Sequence, residues 1–139
     1  MIIDTMVFAY SLLNVEGKCE EATQILAKAD VIIVPDSLRV ELANVVWQWV
    51  KYRDLSEDNA YAVLEDAEAL IEQVISSERL WARALQLSIQ KDHPAYDTLF
   101  IAAAELLNDR VVSYDEKMQK KFPDTVLSPT RFFSIQEGQ

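Results

Sequence analysis

The chain has 139 residues, half of them hydrophobic and about a quarter charged, with only two glycines; this length can bury one core without metal or disulfide staples. The single Cys19 excludes an internal disulfide and reads as a free structural thiol in a reducing compartment. A net charge of −10 argues against a simple phosphate-binding surface, although residues 110–131 hold five basic residues against three acidic.

"MIIDTMVFAY" lacks a basic n-region, and no apolar run approaches the roughly 20 residues that span a bilayer. A soluble, cytoplasmic protein without a membrane partner is therefore expected. "MIID" is a short apolar run ended by Asp4, a first strand. "TMVFAYSLLN" follows it, then a break at Asn14 to Gly17 and a helical "CEEATQILAKA". "VIIV" (31–34) is β-branched, uncharged and closed by Pro35, which predicts a buried strand. Asp36 or Ser37 caps the next helix, to about Arg53, and Ser56 caps another, to about Gln73. Residues 54–78 hold eight acids and no Lys or Arg, which reads as a solvated helix face, or else a docking surface for a basic partner.

"VIS" is a minor strand before a helix from Ser77 to about Lys91. Pro94 opens a helix to Leu107, with Tyr96, Leu99, Phe100, Ala103 and Leu107 on one stripe and Ile101, Ala104 and Asp97 on the next column. "RVVS" (110–113) is a strand, "DEKMQKKF" a short helix and "TVLS" a last strand. Strands alternating with helices predict an α/β sandwich with a mostly parallel sheet, in one domain over 1–139.

In open parallel sheets, functional groups collect at the carboxyl ends of strands, where Asp4 and Asp115 fall. Helix N-capping is the plain alternative for each. Glu41 lies at the edge of the buried stripe of its helix, formed by Leu38, Leu42, Val45, Val46 and Trp49. Asp97 is the hardest acid to explain by capping. It sits in a helix apolar on nearly every side, where an unpaired charge is costly, and it is read as having no basic partner one turn away. His93 is taken as structural or rim-forming, and Trp47, Trp49 and Trp81 as core or subunit-interface residues.

Carboxylates crowded into one site raise one another's pKa unless a cation neutralises them. Hard oxygen ligands without His or Cys pairs point to Mg²⁺ or Mn²⁺. Other aspartate chemistries fit less well. Asp4-Thr5-Met6 lacks the D-x-D of a phosphoaspartate phosphatase, and "VVSYD" lacks the lysine of a receiver domain. Neither a phosphate-cradling G-x-x-x-x-G-K loop nor a G-x-S-x-G elbow is present.

"IIDTMVFAY", "VPDSLRVELANVVW", "HPAYDTLFIAAAE" and "VVSYDEKM", in that order and spacing, resemble the PIN-domain nucleases, and among them the VapC-like toxins of toxin–antitoxin pairs. The resemblance implies a three-layer α/β/α sandwich with strand order 3-2-1-4-5. It also implies a Mg²⁺- or Mn²⁺-dependent endoribonuclease acting on RNA, leaving a 3′-hydroxyl and a 5′-phosphate. Asp4, Glu41, Asp97 and Asp115 match the family acids that hold the metal; Thr5, Asn44 and Ser113 match supporting positions beside them. A cognate antitoxin, with a basic residue reaching the carboxylates, is the implied protein partner.

Trp47 and Trp49 lie about 200° apart round their helix, so one of them must meet something other than the core. A homodimer through this helix and the acidic one after it, including Trp47, Val50 and Tyr61, is the expected solution.

Overall fold

The computed structural model describes residues 1–138. Their strands are β1 (Ile2–Ile3), β2 (Ile33–Pro35), β3 (Gln73–Ile75), β4 (Val111–Val112) and β5 (Val126–Leu127). All pair in parallel, in the order β3-β2-β1-β4-β5. The sheet is the one expected. The strands are short, and β1, β2, β4 and β5 are apolar and buried, as strands covered on both faces must be, while the edge strand β3 buries only Ile75 fully.

Register decides where the site lies. Ile2 pairs with Val111 and Ile3 with Val112, so the central strands β1 and β4 end side by side. The residues just past those ends, Asp4 and Ser113, are thereby brought together although 109 positions separate them. This is where an open parallel sheet gathers functional groups.

The helices are α1 (Thr5–Leu12), α2 (Cys19–Lys28), α3 (Ser37–Arg53), α4 (Glu57–Leu70), α5 (Trp81–Lys91), α6 (Ala95–Leu107), α7 (Glu116–Lys121) and α8 (Pro129–Glu137). They fall into two groups. The first, α1 with α2, α3 and α4, packs together; α6 crosses β1, β2 and β4 with α5 outside it. Helix α6 is buried on several sides through Phe100, Ile101, Ala102, Ala103 and Ala104, as its composition requires.

Several boundaries differ from expectation for identifiable reasons. Helix α4 stops at Leu70, because Gln73 is needed as the first residue of β3, opposite Ile33. The segment from Ser77 is a short 3₁₀ turn to Arg79 before α5 begins. Helix α8 was not expected, although Ser128, whose hydroxyl accepts the Arg131 amide, and Pro129 at the first turn are a start signal. Helices α3, α5 and α6 end on Asp54, Asp92 and Asn108 with φ of 56°, 51° and 50°. Asp and Asn tolerate this left-handed region, so the chain turns these corners without glycine.

One side-chain placement also departs from the reading above. Tyr96, assigned to the buried stripe of α6, is 73% exposed at its first turn. Trp47 and Trp81 are 53% and 68% exposed, which leaves the interface half of the core-or-interface expectation for them, while Trp49 packs against the core.

Candidate active site

Asp4 ends β1 and caps α1. Its Oδ1 accepts the Thr5 amide at 2.8 Å and its Oδ2 accepts the Ser113 hydroxyl at 2.5 Å. Asp115 caps α7 through Oδ1 alone, which takes the amides of Lys117 at 2.9 Å and Met118 at 3.2 Å. Its other oxygen accepts no hydrogen bond from the described residues. Capping and a functional site are therefore not rival explanations for these two acids: each uses its cap to hold a fixed carboxylate at a strand end.

Glu41 comes from α3, at the edge of that helix's buried face. Thr5 donates its hydroxyl to Glu41 Oε2 at 2.8 Å, and Glu41 Oε1 is buried with no hydrogen-bond partner. A buried carboxylate oxygen left without a donor is costly unless a ligand satisfies it.

Asp97 has the basic neighbour that the sequence reading missed. His93 Nε2 lies 2.8 Å from Asp97 Oδ2, four residues back and one turn away. The His93 side chain is only 3% exposed, and its ring packs edge-on against Phe122 with ring centres 5.8 Å apart. His93 lies just outside α6, before the cap residue Pro94, and the extended backbone there brings its ring back over the first turn, a contact that helical spacing alone does not predict. His93 is structural, as expected, and what it supports is Asp97.

Asp4, Glu41, Asp97 and Asp115 line one cavity of about 600 Å³, together with Thr5 and Asn44. Ser113 is fully buried and does not line it; it acts on the cavity through Asp4. Single oxygens of Asp97 and Asp115 and a ring nitrogen of His93 all lie within 4.8 Å of one another, a grouping that Asp4 and Glu41 do not join. The four acids still act on one another. Burial pushes Asp4 up to about 6, against the lowering effect of its bonds to Ser113 and Thr5, and the charges of Asp97 and Asp115 add to the rise. Glu41 is pushed up to about 7, chiefly by burial and then by the charges of Asp4 and Asp97, with the Thr5 bond opposing. Asp97 is raised as well, by burial first, while His93 holds it down.

These residues fit a divalent cation. The donors are hard carboxylate oxygens, one of them buried without a partner, and the groups repel one another when ionised. A cation would satisfy Glu41 Oε1 and offset the repulsion at once.

The PIN domain family model matches residues 1–122, which includes all four acids. Ribonuclease VapC3 of Pyrobaculum aerophilum is 25% identical over 128 residues, spanning 91% of this chain and 97% of that protein. The crystal structure of PAE2754 from Pyrobaculum aerophilum superposes with a TM-score of 0.73 at 13% identity, covering 99% of this chain and 89% of the other. A toxin–antitoxin complex from Klebsiella pneumoniae contains a chain that superposes with a TM-score of 0.65 at 20% identity, covering 92% and 96%. At such identities the structural likeness establishes the fold alone, while the family match extends over most of the sequence and every element that positions the carboxylates: this chain belongs to the PIN domain family.

Proposed function

We propose that this protein is a divalent-metal-dependent endoribonuclease, the toxin of a toxin–antitoxin pair. The observation that carries this reading is the buried, unpartnered Glu41 Oε1 in a cavity lined by three further carboxylates. Family membership and the relative named as a ribonuclease support the choice of reaction.

Asp4, Glu41, Asp97 and Asp115 would hold Mg²⁺ or Mn²⁺. The bound ion would polarise a phosphoryl oxygen and lower the pKa of a water for attack on the phosphodiester. The chain's own part is to fix the oxygens. Thr5 orients Glu41, Ser113 orients Asp4, the first-turn amides of α7 orient Asp115, and His93 orients Asp97. Asn44, exposed on the cavity wall, is available to the substrate.

The protein partners are a cognate antitoxin, whose basic residue would meet the carboxylates, and a second copy of the chain. No helix of the described residues is long and apolar enough to cross a membrane.

A random-sequence oligoribonucleotide pool tests the reaction. Cleavage should need Mg²⁺ or Mn²⁺, stop with EDTA, and fall at least 100-fold in Asp97→Asn, which keeps the shape and removes the charge. Cleavage undiminished by EDTA, or full activity in that variant, refutes the mechanism. Growth arrest on induction of the wild type and not of Asp97→Asn tests the toxin role.

A further inference from the structure

The carboxylates account for only part of the cavity. Another part is apolar, formed by Met6 and Tyr10, one turn apart on α1, with Val45 from α3 and Tyr114 from the loop before α7. Tyr10 and Tyr114 meet edge to face, ring centres 4.9 Å apart at 71°, and both are half-buried. Lys18, exposed in the turn before α2, places its Nζ 5.2 Å from the Tyr114 ring centre and 5.9 Å from that of Tyr10. Among the described residues no carboxylate lies within ion-pair distance of that ammonium.

Metal-assisted hydrolysis of a phosphodiester needs oxygens and water; it has no use for two aromatic rings. A nucleotide joined to the scissile phosphate carries a flat apolar base on one side and a further phosphate beyond it. Aromatic rings with an adjacent cation are what single-stranded nucleic acid is held by, the rings taking the base and the cation the backbone. At the rings themselves the charge favours an anionic occupant, since Lys18 repels a basic side chain there; the carboxylates beyond them are where a basic residue of a protein partner would be drawn. A lysine held there in a chain of net charge −10 favours a polyanion.

We infer that Tyr10, Tyr114 and Lys18 form a nucleotide subsite beside the carboxylates, stacking the base next to the scissile phosphate and pairing the following phosphate with the ammonium. The inference rests on the ribonuclease reading and adds to it where the strand lies. The carboxylates repel RNA; the subsite supplies the affinity they withhold.

The probe is a 12-nucleotide RNA with one cut site, taken from the random pool, and the same RNA made abasic on either side of the cut. With the wild type, the abasic change on one side should raise KM by roughly tenfold and leave kcat within about twofold. In Tyr10→Leu, KM for the intact RNA should already be raised, and the abasic change should add little. Tyr10→Phe keeps the ring and should keep the abasic penalty. Lys18→Gln should raise KM for both RNAs and reduce the salt slope by about one ion; this exposed position keeps the test open if Tyr10→Leu does not fold.

A wild-type KM indifferent to abasic changes on both sides overturns the subsite while leaving the nuclease intact. Penalties of Tyr10→Leu and the abasic change that multiply place the base elsewhere and overturn it too. So does an unchanged RNA KM in Tyr10→Leu combined with weaker binding of an antitoxin tail peptide, which would assign the wall to protein. A wild type that cuts no RNA removes the nuclease reading and the subsite together.

Discussion

His93 Nε2, just before the start of α6, donates to Asp97 Oδ2 in its first turn at 2.8 Å, and the imidazole is clamped between that carboxylate and Phe122. Asp97 thus has one oxygen committed and one left for a ligand. Partners that orient a ligating carboxylate typically tune metal affinity 10–100-fold.

His93→Leu should therefore weaken Mn²⁺ binding by roughly 10–100-fold. His93→Gln places an amide nitrogen near the position of Nε2 and should recover most of the loss. Calorimetric titration of the metal measures both without reference to activity. Equal losses in the two variants would mean that the imidazole does more than position Asp97, direct ligation included.

Removing the charge of Asp97 relieves repulsion on Asp4 and Glu41, and an asparagine oxygen still accepts from His93. The metal-free melting temperature of Asp97→Asn should stay level or rise by a few degrees, and Mn²⁺ should no longer raise it. In the wild type, Mn²⁺ at about 100 times its Kd should add about 2.7 kcal/mol. A marked metal-free fall in Asp97→Asn would show that the ionised carboxylate, rather than the hydrogen bond, holds the start of α6 in place.

The pH dependence follows from the two largest carboxyl shifts. An acid with a raised folded pKa binds its proton more tightly when folded, so its contribution is complete below the ordinary value and lost as pH rises through the folded one. For Asp4 that window runs from 3.8 to about 6, and for Glu41 from 4.5 to about 7. Metal-free protein should lose on the order of 3 kcal/mol to Asp4 alone across its window. Glu41→Gln should lose less than the wild type, and Mn²⁺ should raise the melting temperature more at pH 8 than at pH 5. Thermal melts across this range decide it; a wild type no more pH-sensitive than Glu41→Gln, or a metal shift equal at the two pH values, contradicts the coupling.

The alternation of strands and helices and the four acids were legible because each rests on local signals: β-branched runs closed by Asp or Pro, and acids at strand ends or in an apolar helix. The order of the strands came from the family resemblance, since local runs do not say which strands pair. What stayed hidden depends on side-chain direction and on contacts between elements. Tyr96 fits the stripe of α6 by periodicity, yet the first turn borders the open cavity while Phe100, one turn on, is fully buried. Thr5 and Ser113 were marked as supporting residues, but only the register of β1 on β4 shows that Ser113 bonds Asp4. His93 was read as structural or rim-forming, but its bond to Asp97 depends on how the turn before α6 folds back over the first helical turn, which the sequence does not display.

Assembly gives the last prediction. Trp47 and Val50 on α3 and Tyr61 on α4 are exposed, as the dimer expectation requires. The structure adds a second apolar stripe: Trp81, Leu85 and Ile89 on α5 are 68%, 58% and 74% exposed and lie four apart, on one line of the helix. Large apolar side chains aligned in this way on an exposed helix face mark an association surface. A symmetric dimer buries the same patch on both copies, so one substitution introduces two charges into the interface. Leu85→Glu and Trp47→Glu, made separately, should therefore tell which helix carries the contact. Sedimentation of the wild type should give a dimer at micromolar concentration, and the variant on the true interface should sediment as a monomer with its melting temperature lowered. A wild type that is monomeric refutes the dimer; two variants that both remain dimeric exclude Trp47 and the α5 stripe as the contact and make Val50 on α3 and Tyr61 on α4 the positions to change next.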